Sequence, residues 1–534
     1  MEIDRRAFLR ATGVLGTAAA LGACTPPTDL DLDGIGREYH PGFVPEGSIL
    51  DLPASEAPID HVVILMMENR SFDHYLGWLG RDAGYLERGV RNYGPTFRID
   101  AVSNQQWADP SGALVDTFHL PSDDMPDPWR GCGYEDPGHS WSAGLAQRDR
   151  GFLGEGSKND RFALGYYEAD DLPFTSRLAR RFTTFDRYHC SLLSSTQSNR
   201  RYLHSGQSGG FNNNYIPLKE GGFQFDTIWD RLRSARVPVR SYFSDLPSLA
   251  FWGYRLNDMW TPIDQYFTDC RRGALPAVTF IDPPYLPWWQ ADDHPHADPR
   301  AGQRFLRDVF RAFATSPHWQ RGLFLLTYDE WGGFYDHVRP PLLPDDLAGP
   351  DEAGFDYAQA GFRVPTVMAS PYARPGYVDH RTYDHTSIAR FLEWRFLGAP
   401  PEGPGVGAAT WALSSRDRYA NNIGASLGAS GADPELFDLD DLPMPAPLPA
   451  NCASTDYIAP LYPTQEASTP SSSVPTTSML SARAVAPPVQ ADSPPRGPGA
   501  DLIDALEAGY FERIGASDEP SEIAGVWADG GSVT

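Results

Sequence analysis

The sequence predicts an α/β fold with a mostly parallel central sheet that carries helices on both faces. Four short runs are almost continuously apolar, as expected of strands that are covered on both sides. They lie at residues 61–67, 277–282, 323–329 and 364–370. Segments with helical periodicity lie among these runs, at residues 226–235, 301–314 and 386–397. Because strands that alternate with helices form parallel sheets, functional sites are expected at the carboxyl ends of the strands.

The composition is that of a globular protein and excludes several classes of function. The chain has 534 residues, of which 41% are hydrophobic and 21% charged, so a collagen-like, coiled-coil or wholly disordered chain is excluded. Acidic residues outnumber basic residues by 70 to 44, which gives a net charge of −26. Nucleic acids and anionic lipids need a positive protein surface, so neither is an expected partner. No apolar run reaches the roughly 20 residues of a membrane-spanning helix.

The first 24 residues have the pattern of an export signal. Arg5 and Arg6 form a twin arginine, an apolar run follows at residues 14–23, and the segment "LGAC" ends at Cys24. We expect export through the twin-arginine pathway and acylation of Cys24, which would anchor the protein to a membrane of the cell envelope, on the periplasmic or the outer side. The alternative is an ordinary cleaved signal in which Cys24 has no role.

Composition divides the rest of the chain into three parts. Residues 25–57 are expected to be a polar tether, and residues 58–455 a folded domain. Pro, Ser, Thr and Ala dominate further on, so residues 456–534 are expected to be a disordered linker that ends in a short amphipathic helix at 501–515. The remaining cysteines include no C-x-x-C pair, so a cysteine-based zinc site is not expected.

Acidic and amide side chains follow two of the predicted strands. Glu68 and Asn69 come directly after the first strand, and Asp329 and Glu330 stand at the end of the third. One carboxylate at a strand end is commonly a helix cap or part of a solvated turn. Two such pairs at the ends of separate strands indicate a joint site for a metal ion that prefers oxygen ligands.

A run of hydroxyl side chains leads into a predicted helix in the segment "HCSLLSSTQSNRRYLHSG" at residues 189–206. A hydroxyl at a helix N-terminus suits phosphate chemistry, because free amide groups and the helix dipole stabilise phosphoryl oxygens. The candidates are Ser194, Ser195 and Thr196. The alternative is that these side chains only cap the helix.

Several histidines lie in polar segments that suit acid–base chemistry. They are His139, His294, His296, His337 and His385. Acidic neighbours in the segment "DDHPHAD" could raise the basicity of His294 and His296. A lone histidine is more often structural than catalytic. These histidines are therefore candidates for catalysis only in combination with the strand-end carboxylates.

Six segments occur in an order that resembles one known family. They are "IDHVVILMMENRSFDHYLG", "HCSLLSSTQSNR", "DDHPHADPRAGQ", "TYDEWGGFYDHVRPP", "FRVPTVMASPYA" and "YDHTSIARFLEWRF". The chain resembles the bacterial phosphoesterase family of phosphatidylcholine-type phospholipases C and the related acid phosphatase. That family has an alkaline-phosphatase-like α/β fold. The resemblance covers residues 58–397.

The resemblance implies roles for five residues around a metal ion. Glu68 and Asn69 match the first pair of metal ligands of the family. Asp329 and Glu330 match the second pair. Thr196 matches the hydroxyl nucleophile, which is also a metal ligand. One divalent ion is implied, which could be Ca, Mg, Mn or Zn.

The resemblance also implies catalytic histidines. His294 matches a phosphate-binding histidine, and His139, His296 and His337 match further histidines of the site. Around the nucleophile this sequence departs from the family, because "SSTQSNR" stands where a Gly-Pro-Thr-Asp-Pro arrangement is usual. Ser195 therefore remains an alternative nucleophile.

The expected function is metal-dependent hydrolysis of phosphoesters, in the first place phospholipase C-type cleavage of phosphatidylcholine-like lipids through a phospho-threonine intermediate. A broad acid phosphatase or phosphodiesterase of the same family is the alternative. A serine esterase is another class, because "GQSGG" places Ser208 in a G-x-S-x-G pattern. A non-catalytic surface lipoprotein is the third.

Three aromatic residues precede His294 and suggest how a choline lipid could be recognised. Tyr285, Trp288 and Trp289 lie in "PPYLPWWQADDHPH". Aromatic ring faces attract quaternary ammonium groups, so these rings are expected to bind the choline headgroup. The alternative is that they only pack the core.

Overall fold

The apolar run "HVVILMM" forms a strand of seven residues, His61–Met67, inside an eight-stranded sheet. All its residues after His61 are buried, which requires cover on both faces of the sheet. The structure is a computed structural model that describes residues 39–121, 127, 129–286, 290–351, 354–405 and 410–443. The expected export signal with Cys24 and the expected linker and helix at 456–534 lie outside the described residues.

The strands are short, apart from two strands of seven residues. They are β1 (His61–Met67), β2 (Gln106–Ala108), β3 (Leu114–Asp116), β4 (Phe118–His119), β5 (Gly165–Tyr166), β6 (Thr183–Phe185), β7 (Val239–Phe243), β8 (Trp260–Pro262), β9 (Val278–Asp282), β10 (Gly322–Tyr328), β11 (Val367–Ala369) and β12 (Val378–Asp379). The central sheet has the strand order β12-β6-β11-β10-β1-β9-β7-β8.

Helices connect most of these strands. They are α1 (Phe72–Leu76), α2 (Ala83–Tyr93), α3 (Trp141–Arg150), α4 (Pro173–Arg181), α5 (Thr196–Ser205), α6 (Ile228–Ser234), α7 (Ile263–Arg272), α8 (Pro299–Ala314), α9 (Thr386–Leu397) and α10 (Ser415–Tyr419). Local sequence sets their ends. Helix α8, for example, begins at Pro299 because the Asp298 side chain accepts a hydrogen bond from the Arg300 amide and proline suits the first helical position.

The predicted fold class is confirmed. Strand β1 pairs in parallel with β10 and β9, and β7 continues the parallel arrangement beyond β9. Strand β11 is the exception, because it runs antiparallel to both β10 and β6. The predicted strand at 61–67 and the predicted helix at 386–397 match β1 and α9 residue for residue.

The folded part of the chain begins ahead of residue 58, the expected boundary. Ile49 and Leu50 are buried in the hydrophobic core, and the Ile49 amide donates a hydrogen bond to the Leu427 carbonyl. Cys190 and Cys270 are buried free thiols. In the described part of the chain, no helix combines the length and the apolar character that crossing a membrane requires.

The register between β1 and β10 positions the site. His61 lies opposite Gly322, and Met67 lies opposite Tyr328. Since both strands have seven residues and run in the same direction, the residues that follow them emerge side by side at one edge of the sheet.

Candidate active site

The two acidic pairs predicted as metal ligands meet at the carboxyl ends of β1 and β10. The Asn69 amide donates a hydrogen bond to Asp329 Oδ1 across 3.0 Å, and the Asp329 amide donates to the Met67 carbonyl across 3.0 Å. The Arg70 amide donates to the Glu330 carbonyl across 3.1 Å. These bonds hold the two segments together directly beyond the strands, so the structure brings Glu68, Asn69, Asp329 and Glu330 together.

Several oxygen atoms of this group are buried without a hydrogen-bond partner. They are Asn69 Oδ1, Asp329 Oδ2 and Glu330 Oε1. Burial and the neighbouring Asp329 raise the pKa values of Glu68 and Glu330 well above their usual range. The unused oxygen atoms of these buried carboxylates form an all-oxygen donor set, which fits a divalent ion such as Ca, Mg or Mn.

A glycine allows the close approach of the two segments. Gly332 has a φ of +62°, and a Cβ atom there would collide with the carbonyl oxygen of Asn69. Asn69 itself has a φ of +54°, a left-handed conformation that asparagine tolerates better than most residues. The two glycines in "DEWGGFYDHV" therefore do more than end a strand: Gly332 makes room for the ligand segment from β1.

Thr196 is the hydroxyl that reaches the carboxylates. It is the first residue of α5, and its Oγ1 donates a hydrogen bond to Glu68 Oε2 across 3.2 Å. Ser194 instead donates to the carbonyl of Asn212. Ser195 occupies the N-cap position of α5, but its side chain makes no capping hydrogen bond. The capping alternative therefore does not explain the hydroxyl run.

Arg200 is a central residue of the site that the sequence did not reveal. Its Nη2 donates a hydrogen bond to Glu68 Oε1 across 2.9 Å, and its Nε lies 3.5 Å from Asp329 Oδ2. Asp282, the last residue of β9, lies 3.7 Å from its Nη1. Arg200 follows Thr196 by four residues, so both side chains project from the same face of α5. That spacing is the signal that could have identified it.

His139 and His294 lie together beside the carboxylates. Both are buried, and their ring centroids are 6.0 Å apart. Asp136, which the sequence did not single out, completes a group whose donor atoms all lie within 4.8 Å of one another. Burial and His139 lower the pKa of His294 to about 3, so the His294 ring is neutral at pH 7. As a neutral ring it can accept a proton or bind a metal, but it does not supply a positive charge to a phosphate.

His296 and His385 bind backbone carbonyls. Nδ1 of His296 donates to the Arg130 carbonyl across 2.9 Å, and burial lowers the pKa of His296. Nε2 of His385 donates to the Asp329 carbonyl across 2.6 Å, which ties the start of α9 to the second pair of acidic residues. His385 therefore positions Asp329.

His337 belongs to a network of charged residues. Its Nδ1 lies 2.5 Å from Asp73 Oδ2, and its Nε2 lies 2.7 Å from Asp100 Oδ1. Although burial lowers the pKa of His337, hydrogen bonds to Asp100 and Asp73 raise it to about 9. The buried Arg363 binds Asp73 and Asp336 in the same network. Both ring nitrogens of His337 are thus occupied, and its predicted catalytic role remains a prediction.

The serine esterase alternative does not agree with the geometry around Ser208. A nucleophile elbow needs a strand before the serine and a helix directly after it. Here helix α5 ends at Ser205, Gly206 follows in a left-handed conformation with a φ of +68°, and residues 207–210 are neither helix nor strand. The G-x-S-x-G pattern is therefore coincidental.

Of the three aromatic residues proposed to bind choline, Trp288 and Trp289 lie outside the described residues. Tyr285 is described, and its ring centroid lies 5.3 Å from the guanidinium carbon of Arg200. Its hydroxyl donates a hydrogen bond to Asp282 Oδ1 across 3.0 Å. Tyr285 therefore already contacts a cation of the protein itself.

An α/β sheet with buried carboxylates and a helix N-terminal hydroxyl at its carboxyl edge has the arrangement of a hydrolase acting on phosphoric ester bonds. The chain belongs to the Phosphoesterase family, whose model matches residues 59–397. Membership establishes the chain as a phosphoester hydrolase and sets aside a non-catalytic function.

The names of similar proteins are consistent with this family. The chain is 32% identical over 375 residues to non-specific phospholipase C5 of Arabidopsis thaliana. The matched segment covers 62% of this chain and 69% of the relative. It is 28% identical over 477 residues to the non-hemolytic phospholipase C of Pseudomonas aeruginosa, covering 78% of this chain and 64% of that protein.

A solved structure of a protein in the alkaline phosphatase superfamily from Vibrio parahaemolyticus is similar at 12% identity, with a TM-score of 0.31. The match covers 71% of this chain and 79% of that chain. A TM-score at this level does not establish a common fold, so the fold class rests on the sheet topology.

Proposed function

We propose that this phosphoesterase cleaves phospholipids at the phosphodiester bond on the glycerol side, as a phospholipase C does, with Thr196 as nucleophile. One observation carries the proposal: the Thr196 hydroxyl stands at a helix N-terminus and donates to Glu68 within a group of buried oxygen ligands. The lipid substrate is supported by the relatives, which are named phospholipases C.

The residues that would hold a divalent cation are Glu68, Asn69, Asp329 and Glu330, with the Thr196 hydroxyl beside them. A cation bound there would lower the pKa of a neighbouring hydroxyl and offset the negative charge of the phosphoryl oxygens. The choice among Ca, Mg, Mn and Zn is left to experiment, although the oxygen donors favour the first three.

The chain's own residues account for the rest of the reaction. Glu68 orients the Thr196 hydroxyl, and the amide groups and dipole of the ten-residue helix α5 favour a phosphoryl group at its N-terminus. Thr196 Oγ1 forms a bond to phosphorus while the bond to the leaving alcohol breaks, and the hydroxyl proton passes to that alcohol. Water then hydrolyses the phospho-threonine, which releases a phosphomonoester and restores the hydroxyl.

Headgroup selection is the finer part of the proposal. The net charge of −26 disfavours anionic headgroups, whereas phosphatidylcholine is zwitterionic. Because Tyr285 contacts Arg200, Trp288 and Trp289 are the rings left to contact a choline cation. Replacing either tryptophan by alanine should raise KM for phosphatidylcholine by about tenfold, the effect of ~1.4 kcal/mol, and leave an aryl phosphodiester unaffected.

Location is also part of the proposal. Export through the twin-arginine signal and acylation of Cys24 would place the enzyme in the cell envelope, next to a lipid substrate. In that case Cys24→Ala releases the protein from membranes, and replacement of Arg5 and Arg6 by lysine leaves the precursor in the cytoplasm. Membrane association of the Cys24→Ala variant would show that acylation is not the anchor.

A panel of substrates tests the activity. Purified protein is assayed with phosphatidylcholine, sphingomyelin, an aryl phosphodiester and an aryl phosphomonoester, each with Ca, Mg, Mn or Zn, and the Thr196→Ala variant is the control. Release of phosphocholine by the wild type alone supports the proposal. Turnover of the monoester without turnover of either lipid would identify a phosphatase of the same family instead.

A further inference from the structure

Four exposed apolar side chains lie in segments that are bonded to helix α5 or to the residues directly before it. The described residues include eight exposed large apolar side chains, and half of these belong to this region. They are Tyr215 (38% exposed), Leu342 (38%), Leu347 (47%) and Tyr419 (46%). Soluble proteins seldom gather exposed apolar side chains in one region unless that region binds a partner. We call these four residues the apolar rim.

Tyr215 ends a loop that lies beside the nucleophile. The Gln197 amide, directly after Thr196, donates a hydrogen bond to Asn214 Oδ1 across 3.0 Å. Arg201 Nη1, one turn further along α5, donates to the Tyr215 carbonyl across 2.7 Å. The exposed side chain of Tyr215 is therefore carried by a loop that is fixed to the helix whose first residue is Thr196.

Leu347 is fixed to the same helix through Asp345. The Asp345 carboxylate accepts a hydrogen bond from the Leu347 amide across 2.9 Å and another from the hydroxyl of Tyr202, on α5, across 2.7 Å. Leu347 also lies next to Gly210, because its Cδ1 is 3.8 Å from the position that a Cβ atom on this glycine would occupy. Since Gly210 begins the loop that leads to Tyr215, both exposed side chains belong to one region beside α5.

Leu342 and Tyr419 belong to segments that bind the residues leading into α5. An isolated β-bridge pairs Leu342 with Gln359, whose carbonyl accepts a hydrogen bond from the Leu193 amide across 3.1 Å. Tyr419 ends α10, and an arginine of that helix donates to the Ser191 carbonyl across 2.9 Å. The whole apolar rim is thus attached to the segment that carries the nucleophile, at the edge of the sheet that holds the buried carboxylates.

The described part of the chain begins in the same region. Tyr39 is buried in a small hydrophobic cluster, whose other members include the residues directly after Leu342 and Tyr419. Cys24 precedes Tyr39 by 15 residues, so an acyl chain on Cys24 would lie within roughly 50 Å of this cluster even if the chain between them were fully extended. The proposed anchor and the apolar rim are therefore able to meet the same membrane surface.

We propose that the apolar rim docks on a bilayer of zwitterionic lipid and brings the start of α5 to the membrane surface. Leucine side chains enter the apolar part of a bilayer, and tyrosine is favoured at the boundary between lipid and water. Two exposed carboxylates border the rim, Glu220 facing Tyr215 and Asp346 directly before Leu347, and they disfavour anionic headgroups. The inference rests on the proposed function, because a lipid substrate is what requires the active site to meet a membrane.

Binding to vesicles tests the inference without reference to turnover. The parent protein is the full chain with Thr196→Ala, which prevents hydrolysis, and Cys24→Ala, which removes the acyl chain. It is sedimented with vesicles of phosphatidylcholine, and the bound fraction is measured against lipid concentration. Leu347→Ser and Tyr215→Ser, introduced separately, should each weaken this binding by about tenfold, because each removes an apolar side chain that would enter the bilayer.

Val90→Ser is the matched control. Val90 is 42% exposed, close to the value for Leu347, but it lies on α2. That helix packs toward the other edge of the sheet, because the Tyr93 hydroxyl donates to the Pro375 carbonyl, ahead of β12, across 2.8 Å. The control should bind vesicles as the parent does. All these variants should unfold at the urea concentration of the parent, since each alters an exposed side chain.

Several outcomes would overturn the inference. They are failure of the parent to bind, unchanged binding in Leu347→Ser and Tyr215→Ser, and tighter binding to vesicles that contain phosphatidylglycerol than to pure phosphatidylcholine. A dimer in lipid-free solution that either substitution dissociates would also overturn it, because the rim would then be a subunit interface. The proposed function is judged separately, with Thr196 restored. Rim-dependent binding without hydrolysis of any phosphoester would refute that function alone, whereas lipid hydrolysis that neither substitution alters would refute only the docking surface.

Discussion

Thr196 Oγ1 lies 3.2 Å from Glu68 Oε2 and donates a hydrogen bond to it, which joins the start of α5 to the end of β1. The two residues are 128 positions apart in the chain. This contact distinguishes Thr196 from the two serines before it, of which Ser194 donates to a backbone carbonyl and Ser195 makes no capping bond.

Thr196→Ala should therefore abolish hydrolysis. We expect kcat on an aryl phosphodiester to fall by about 10³-fold or more, because the nucleophile is lost, while the protein stays folded and still binds metal. Ser195→Ala is the matched control and should retain most of its activity. A dead Ser195→Ala variant beside an active Thr196→Ala variant would place the nucleophile one residue earlier.

Glu330→Gln should separate metal binding from stability. The glutamine keeps an oxygen that can accept from the Gly332 amide, at 2.7 Å in the wild type, but it removes one of the crowded negative charges. In a chelator the variant should be more stable than the wild type by about 1 kcal/mol, since repulsion by Asp329 and Glu68 is reduced. Its affinity for divalent cations should fall at least tenfold.

Urea unfolding with and without metal measures both effects. Glu87→Gln is the control, because the Glu87 side chain is largely exposed and should change neither quantity. A Glu330→Gln variant that is less stable than the wild type in chelator would show that Glu330 is not repelled by its neighbours.

Arg200→Met should make the protein depend on metal for its stability. Arg200 is the cation that offsets Glu68, Asp282 and Asp329, so its loss should cost about 3–5 kcal/mol in metal-free protein. Added divalent cation should restore part of that loss, so that metal stabilises the variant more than the wild type.

The neighbouring Arg201 provides the control for that measurement. It is equally buried but donates to the carbonyls of Asn213 and Tyr215 instead of to carboxylates. Arg201→Met should destabilise the protein without being rescued by metal. Equal responses of the two variants to metal would contradict the role of Arg200 as a counter-charge.

Because His337 is paired with Asp73 and Asp100, the folded protein should lose stability as the pH becomes alkaline. Its pKa is about 9 in the folded protein, above the unfolded value of about 6.5. Its contribution is fully present below pH 6.5 and is lost as pH rises through 9, with a maximum of roughly 3 kcal/mol. His337→Gln should flatten the decline in unfolding free energy between pH 6.5 and 9.5. An unchanged slope in that variant would assign the decline to other groups.

The sequence predicted those helices and strands whose pattern lies in consecutive residues. Strand β1 and helix α9 match their predictions because an unbroken apolar run and a helical period are written in consecutive residues. The antiparallel direction of β11 was not predictable, since a short apolar strand has the same composition in either direction. Arg200 was missed for a related reason, because its partners Glu68 and Asp329 are more than a hundred residues away.

The equal length of β1 and β10 has an evolutionary consequence. Strands β1 and β10 start side by side, with His61 opposite Gly322, and each has seven residues. Glu68 and Asp329, which directly follow these strands, lie side by side for that reason. Loss of one residue from either strand would move its acidic pair by about 3.3 Å and turn alternate side chains to the opposite face. Apolar residues within these strands are thus free to vary in identity, whereas an insertion or deletion in one strand survives only with a matching change in the other.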